Sequence, residues 1–275
     1  MRSIRRVALS IFGTLVLIAS PAIAGPEDAP PDQVNHQVFQ AAREAKQLGM
    51  FIYEFKDTST KGAEAAKKYA PKPSDRVPGD IDKWLEKVPK RSDWKADVSD
   101  AYYKAALWQH GLVKKHREAL GKLFQELRLV GTTRGEFAYS AGISIPVTFA
   151  VENGSPVVMV TGIALPKVVD ARGTTEKTRA ASAVTSAVLP SLKKIDEVFG
   201  PSEFGYYGVA VMYACRDADG QQPKTEFACL IVPKELCKKY VDGKITDQEL
   251  VDGGQVYLSD RDMINQIKKS KLELK

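Results

Sequence analysis

Residues 144–165 read SIPVTFAVENGSPVVMVTGIAL. Two β-rich runs, Ser144–Val151 and Val157–Leu165, flank the turn Glu152-Asn153-Gly154-Ser155. Asn-Gly between apolar runs is a strong hairpin signal, because both residues tolerate the positive φ of a two-residue turn. Short turns favour antiparallel pairing, and an antiparallel sheet can be covered on one face only.

Further along the chain, apolar residues return to a spacing of three and four from Thr174 to Phe199 (Ala180, Val184, Ala187, Val188, Leu192, Ile195 and Val198), predicting a helix. Pro190 should kink it, Gly200-Pro201 should stop it, and its alanines would let it lie close on a sheet. Two more strands, Phe204–Cys215 and Glu226–Val232, are joined by the polar turn Asp217–Lys224. Gly205 and Gly208 inside the first of these mark a bulge or a close backbone approach. Short helices are expected at Lys234–Tyr240, Asp247–Val251 and Asp260–Lys269.

Towards the N-terminus, the run Phe137–Ser140 reads as another short strand, and the composition changes near Gly131. Ahead of it, Ser92–Leu129 carries a long helical stripe, residues 57–92 are a Pro-rich surface excursion with helical pieces near Ala63–Tyr69 and Ile81–Val88, and Asp32–Leu48 is amphipathic. The fold class is therefore α+β: a mostly antiparallel β-sheet with a long helix packed on it in residues 131–275, preceded by a mainly helical region, 25–130.

Residues 1–24 join a basic start (Arg2, Arg5, Arg6) to an apolar run, Val7–Ala19, and the tripeptide Ala22-Ile23-Ala24, the arrangement of a cleaved secretory signal. Periplasmic or secreted localisation is expected. The formal charge of +6 falls to +3 without those residues, which hold three of the 40 basic side chains and none of the 34 acidic ones. The remaining lysines are scattered instead of gathered with stacking aromatics, so no nucleic-acid partner is expected. After Gly25 no apolar run approaches the roughly 20 residues of a membrane span. In an oxidising compartment Cys215, Cys229 and Cys237 allow one disulfide in three pairings. Cys229–Cys237 is favoured if the helix bearing Cys237 folds back on its strand, and three buried thiols are the alternative.

No motif identifies a reaction. Ser-x-x-Lys occurs at Ser92–Lys95 and Ser191–Lys194 without the companion elements of penicillin-interacting serine enzymes, and Gly142–Pro146 lacks the second glycine of a nucleophile elbow. Asp242–Leu250 resembles the second half of an EF-hand loop, but Lys238 and Tyr240 stand where carboxylates belong, so Thr246 and Glu249 read as a helix capping box. His110 and His116, six apart on a helix, diverge, so no metal is expected, and Trp84, Trp94 and Trp108 read as core. Nucleotide and haem signatures are absent, and no cofactor is expected. These exclusions leave an exported binding or interaction protein without catalysis, whose partner is an unknown envelope protein or small molecule. The alternatives are an envelope hydrolase with an acid-residue site and an envelope assembly factor docking through Ser92–Leu129. The site is sought at Tyr206, Tyr207, Tyr213, Arg216 and Asp217, because loops positioned by a sheet carry function more often than core strands do.

Overall fold

A computed structural model describes residues 79–93, 100–134, 138–139, 147–165, 169–216, 224–260 and 263–274. In chain order these give α1 (Gly79–Leu85), a 3₁₀ turn (Arg91–Asp93), α2 (Asp100–Lys115), α3 (Arg117–Arg134), β1 (Ala138–Tyr139), β2 (Val147–Glu152), β3 (Ser155–Ala164) and β4 (Val169–Asp170). There follow α4 (Glu176–Ala183), a π turn (Val184–Val188), α5 (Leu189–Phe199), β5 (Tyr206–Arg216), β6 (Lys224–Pro233), α6 (Lys234–Val241), α7 (Asp247–Asp252), β7 (Gln255–Asp260) and β8 (Met263–Ser270).

The chain is α+β, as expected. All eight strands join one sheet along the path β1-β3-β5-β6-β7-β8, with β2 also on β3 and β4 also on β5. Most pairs are antiparallel. β5 runs parallel to β3 and β4, because the helical segment 176–199 carries the chain back to the end of the sheet where β3 began. The hairpin β2–β3 forms as read, with Asn153 at φ 49 and Gly154 at φ 76.

Several expectations are corrected. The stripe at Ser92–Leu129 is two helices interrupted at His116, and the second runs on to Arg134, beyond Gly131. The kink at Pro190 takes the form of the π turn: proline has no N–H to give the carbonyl four residues back, and the preceding turn widens, with Leu189 N–H donating to Val184 O. The helix expected at Asp260–Lys269 is instead the β7–β8 hairpin. Met263, Ile264 and Ile267 have helix-like spacing, but the free edge of β7 offers 263–270 a ladder of backbone partners that local spacing does not reveal. The capping box at Thr246 is present: Glu249 N–H donates to Thr246 Oγ1 at 3.2 Å, and Thr246 N–H donates to Glu249 Oε2 at 2.7 Å.

The sheet has two apolar faces. One packs on the helices: Phe149, Val158, Val160, Tyr207, Val209, Val211 and Leu230 meet Val184, Val188, Leu192 and Ile195 of the 176–199 segment. Ile81 of α1, Val113 of α2 and Leu120, Leu123, Phe124 and Leu127 of α3 join the same core. The other face carries a second buried cluster, with Val157, Met159, Ala210, Met212, Phe227, Cys229, Ile231 and Tyr257.

That second face is concave. Glu152 on β2 and Gln255 on β7 are hydrogen-bonded at 2.5 Å although β3, β5 and β6 lie between their strands. A flat sheet would hold these strands about 19 Å apart, four spacings of ~4.8 Å, beyond the reach of two side chains. The sheet must therefore roll towards this face. A register shift in β3 against β5 between Val160 and Ile163 adds bend and twist. Gly208 occupies the inside of the curve: a Cβ there would stand 2.9 Å from Met159 Cγ and 3.3 Å from Ile231 Cγ1, which is the close approach anticipated for this glycine.

Candidate functional site at the end of the rolled sheet

Side-chain alternation decides what the roll brings together. On β2, Phe149 points to the helices and Ala150 to the concave face, so Glu152 follows Ala150 inward. On β5 the same rule puts Tyr206 inside with Ala210, and on β7 it puts Gln255 inside with Tyr257. Glu152 is 9% exposed, and its Oε1 accepts from Gln255 Nε2. Gln255 Oε1 in turn accepts from Tyr257 Oη at 2.8 Å. A carboxylate cannot donate, so this chain fixes which end of the Gln255 amide faces Glu152. Asn153, in the turn, donates through Nδ2 to Tyr206 Oη at 3.0 Å, holding the half-buried Tyr206 ring at the margin. Lys269 Nζ lies 5.6 Å from the Tyr257 ring centroid, on its π face. No cationic side chain among the described residues pairs with Glu152.

A second polar group lies at the other end of β5, on the helix-covered face. Arg179 of α4 grips Glu226 of β6 through Nε to Oε2 (2.9 Å) and Nη2 to Oε1 (2.5 Å), and Nη1 donates to Thr174 O and Oγ1. Both side chains are 1% exposed. Two-point guanidinium–carboxylate pairing meets the geometric need of charges held out of water. Cys215 and Tyr213 stand beside the pair. Burial, then the Glu226 charge, pushes the Cys215 thiol up to about 12 and the Tyr213 hydroxyl well above its ordinary value. At neutral pH the thiol is protonated and the carboxylate is locked, so this group offers neither a nucleophile nor a free base.

The five residues sought from sequence do not form one site. Tyr206 reaches the concave end. Tyr207 and Tyr213 point the other way, into the helix-covered core, and their hydroxyls are buried without a completed hydrogen bond. Burial, reinforced by the charge of the Asp196 carboxyl, raises the Tyr207 hydroxyl. The backbone of Arg216 pairs with Asp170 at the far end of β5, and Asp217 lies outside the described residues. Glu152, Gln255 and Tyr257 escaped the sequence reading. The one available signal was a glutamate closing an apolar strand immediately before Asn-Gly.

The favoured disulfide is also corrected. α6 does fold back on the sheet, but Cys237 joins the helix-side core with Sγ 3.7 Å from Leu192 O, whereas Cys229 points to the concave face with Sγ 3.9 Å from Met159 Sδ. The sheet itself separates them. All three cysteines are buried free thiols.

The remaining motifs have structural employment. His110 stacks on Trp84 and its Nε2 meets Leu85 O at 3.0 Å, while His116 Nε2 lies 3.1 Å from Glu203 Oε1. Ser191 donates to Ala187 O and Lys194 pairs with Glu197 and Glu126, so this Ser-x-x-Lys does not act as a unit. Trp84 and Trp108 pack against the core, and Trp94 lies outside the described residues. Among the described residues no three His, Cys, Asp or Glu side chains gather closely enough to hold a metal ion, and no helix is long and apolar enough to cross a membrane. Comparison with protein-family models, with curated proteins and with solved structures finds no match to this chain.

Proposed function

We propose that this chain is an exported, periplasmic or secreted protein that binds a ligand or partner without catalysis, and that it does so at the concave end formed by Glu152, Asn153, Tyr206, Gln255 and Tyr257. One observation carries the reading: a buried carboxylate, oriented by an amide and a tyrosine from a distant strand, has no charge partner among the described residues. A few oriented polar groups beside aromatic and apolar walls suit recognition. The alternative of docking through the long helical stripe is less well supported, since Leu120, Leu123, Phe124 and Leu127 are spent on the core, and among the residues of α2 whose burial is described Leu107 is the exposed large apolar one.

Native mass spectrometry of mature protein from a periplasmic extract, repeated after denaturation, tests the proposal. A polypeptide mass beginning at Gly25, with a non-covalent adduct that Glu152→Ala loses, is the expected result. Turnover of a broad hydrolase substrate panel, abolished by a single substitution in the purified protein, would overturn it.

A further inference from the structure

We infer that the group recognised at this end of the sheet is a primary ammonium. The inference rests on the binding reading above and specifies its chemistry. The chain itself supplies the contrast. Where it buries a carboxylate as a fixture, at Glu226, it furnishes Arg179 in a two-point pair and closes the site. At Glu152, nine-tenths buried, the described residues furnish a neutral amide and no cation. A desolvated carboxylate is stabilised by a cation, and an amide hydrogen bond cannot provide the missing charge. The site is thus electrostatically incomplete, and what completes it is positive.

The geometry narrows the cation. Gln255 already takes one lone pair on Oε1 of Glu152, so the approach of a planar guanidinium fork to both oxygens is crowded on that side, and a compact point charge is accommodated more readily. A calcium or magnesium ion needs several oxygen ligands, and one carboxylate with a single uncommitted oxygen does not make that set. Tyr206 and Tyr257 bring aromatic faces to the same end, and an ammonium already rests on one of them: Lys269 Nζ over Tyr257. Aromatic faces attract such cations through the ring quadrupole. An ammonium on a short apolar stem would meet Glu152 with its head and the tyrosine rings with its stem.

The test uses ¹⁵N-labelled mature protein titrated with n-butylammonium chloride at constant ionic strength, with n-butanol as the uncharged control. The expected result is saturable shifts of the Gln255 side-chain amide and the backbone of residues 152–155, none with n-butanol, and at least a tenfold loss of affinity in Glu152→Gln at unchanged thermal midpoint. Tyr206→Leu, at a half-buried margin, should weaken binding at least threefold and serves if Glu152→Gln does not fold. Nα-acetyl-lysine amide separates the sources of the ammonium: shifts equal to those of butylammonium indicate a side chain presented by a protein, and shifts from the free amine alone indicate a small ligand. Non-saturating shifts, or equal shifts in Glu152→Gln and Tyr206→Leu, would overturn the inference. An adduct of uncharged or anionic chemistry in the mass spectrometric experiment would also overturn it, while leaving the binding reading intact.

Discussion

Replacing Arg179 by methionine should expose what the buried pair contributes. The substitution keeps an apolar stem of similar length but leaves Glu226, 1% exposed, without its guanidinium, and frees Thr174 O from its contact with Nη1. Breaking a buried pair from one side costs about 3–5 kcal/mol, whereas replacing both partners with apolar residues is near neutral or stabilising. Arg179→Met should therefore lose about 3–5 kcal/mol at pH 7, and Arg179→Met/Glu226→Leu should recover most of that loss. With a urea slope of about 2–3 kcal/mol/M, the single variant's midpoint falls by about 1–2 M. Urea unfolding followed by circular dichroism, on both variants at pH 7, measures these quantities. A single variant within about 1 kcal/mol of the parent, or a double variant no better than the single, would refute the reasoning.

Two further outcomes follow from the geometry. Burial pushes the Cys215 and Cys237 thiols up to about 12 and raises that of Cys229, so iodoacetamide at pH 8 should leave the native protein unmodified, and denatured protein without reductant should take up three labels; fewer than three would mean a disulfide has formed. At Glu203, burial works against the charge, but hydrogen bonds from Lys115, the backbone and His116 outweigh it and hold the carboxyl at about 2, against 4.5 unperturbed. A lowered carboxyl stabilises the fold above its unfolded value and loses that contribution as pH falls through the folded one. Thermal melts should then show Glu203→Gln less stable than the parent above pH 4.5 and level with it near pH 2; a constant gap down to pH 2 would contradict the pairing.

What could be read in the sequence was short-ranged. Asn153-Gly154 forms its turn because two adjacent residues need positive φ. Thr246 and Glu249 cap α7 because the groups that satisfy one another are three residues apart. The 174–199 stripe forms a helix on the sheet because its period matches its buried face, and even its irregularity sits where Pro190 removes a donor.

The errors and omissions arise where the answer depends on a partner far along the chain. Residues 263–270 became a strand because β7 offered an edge, and β7 itself was unread in Val256-Tyr257-Leu258. Spacing set Cys229 and Cys237 near enough to consider bonding, but strand alternation sent the first to the concave face while α6 packed on the other. The same alternation divided Tyr206 from Tyr207. The candidate site lies furthest from sequence: Glu152 and Gln255 are 103 residues apart and meet because curvature accumulates over four strand pairings. Turns, caps and helical stripes are decided by neighbours within a few residues, so the sequence by itself determined them. The roll of the sheet sums many small twists and bulges, so only the tertiary structure decided which carboxylate would be buried against an amide with no cation beside it among the described residues.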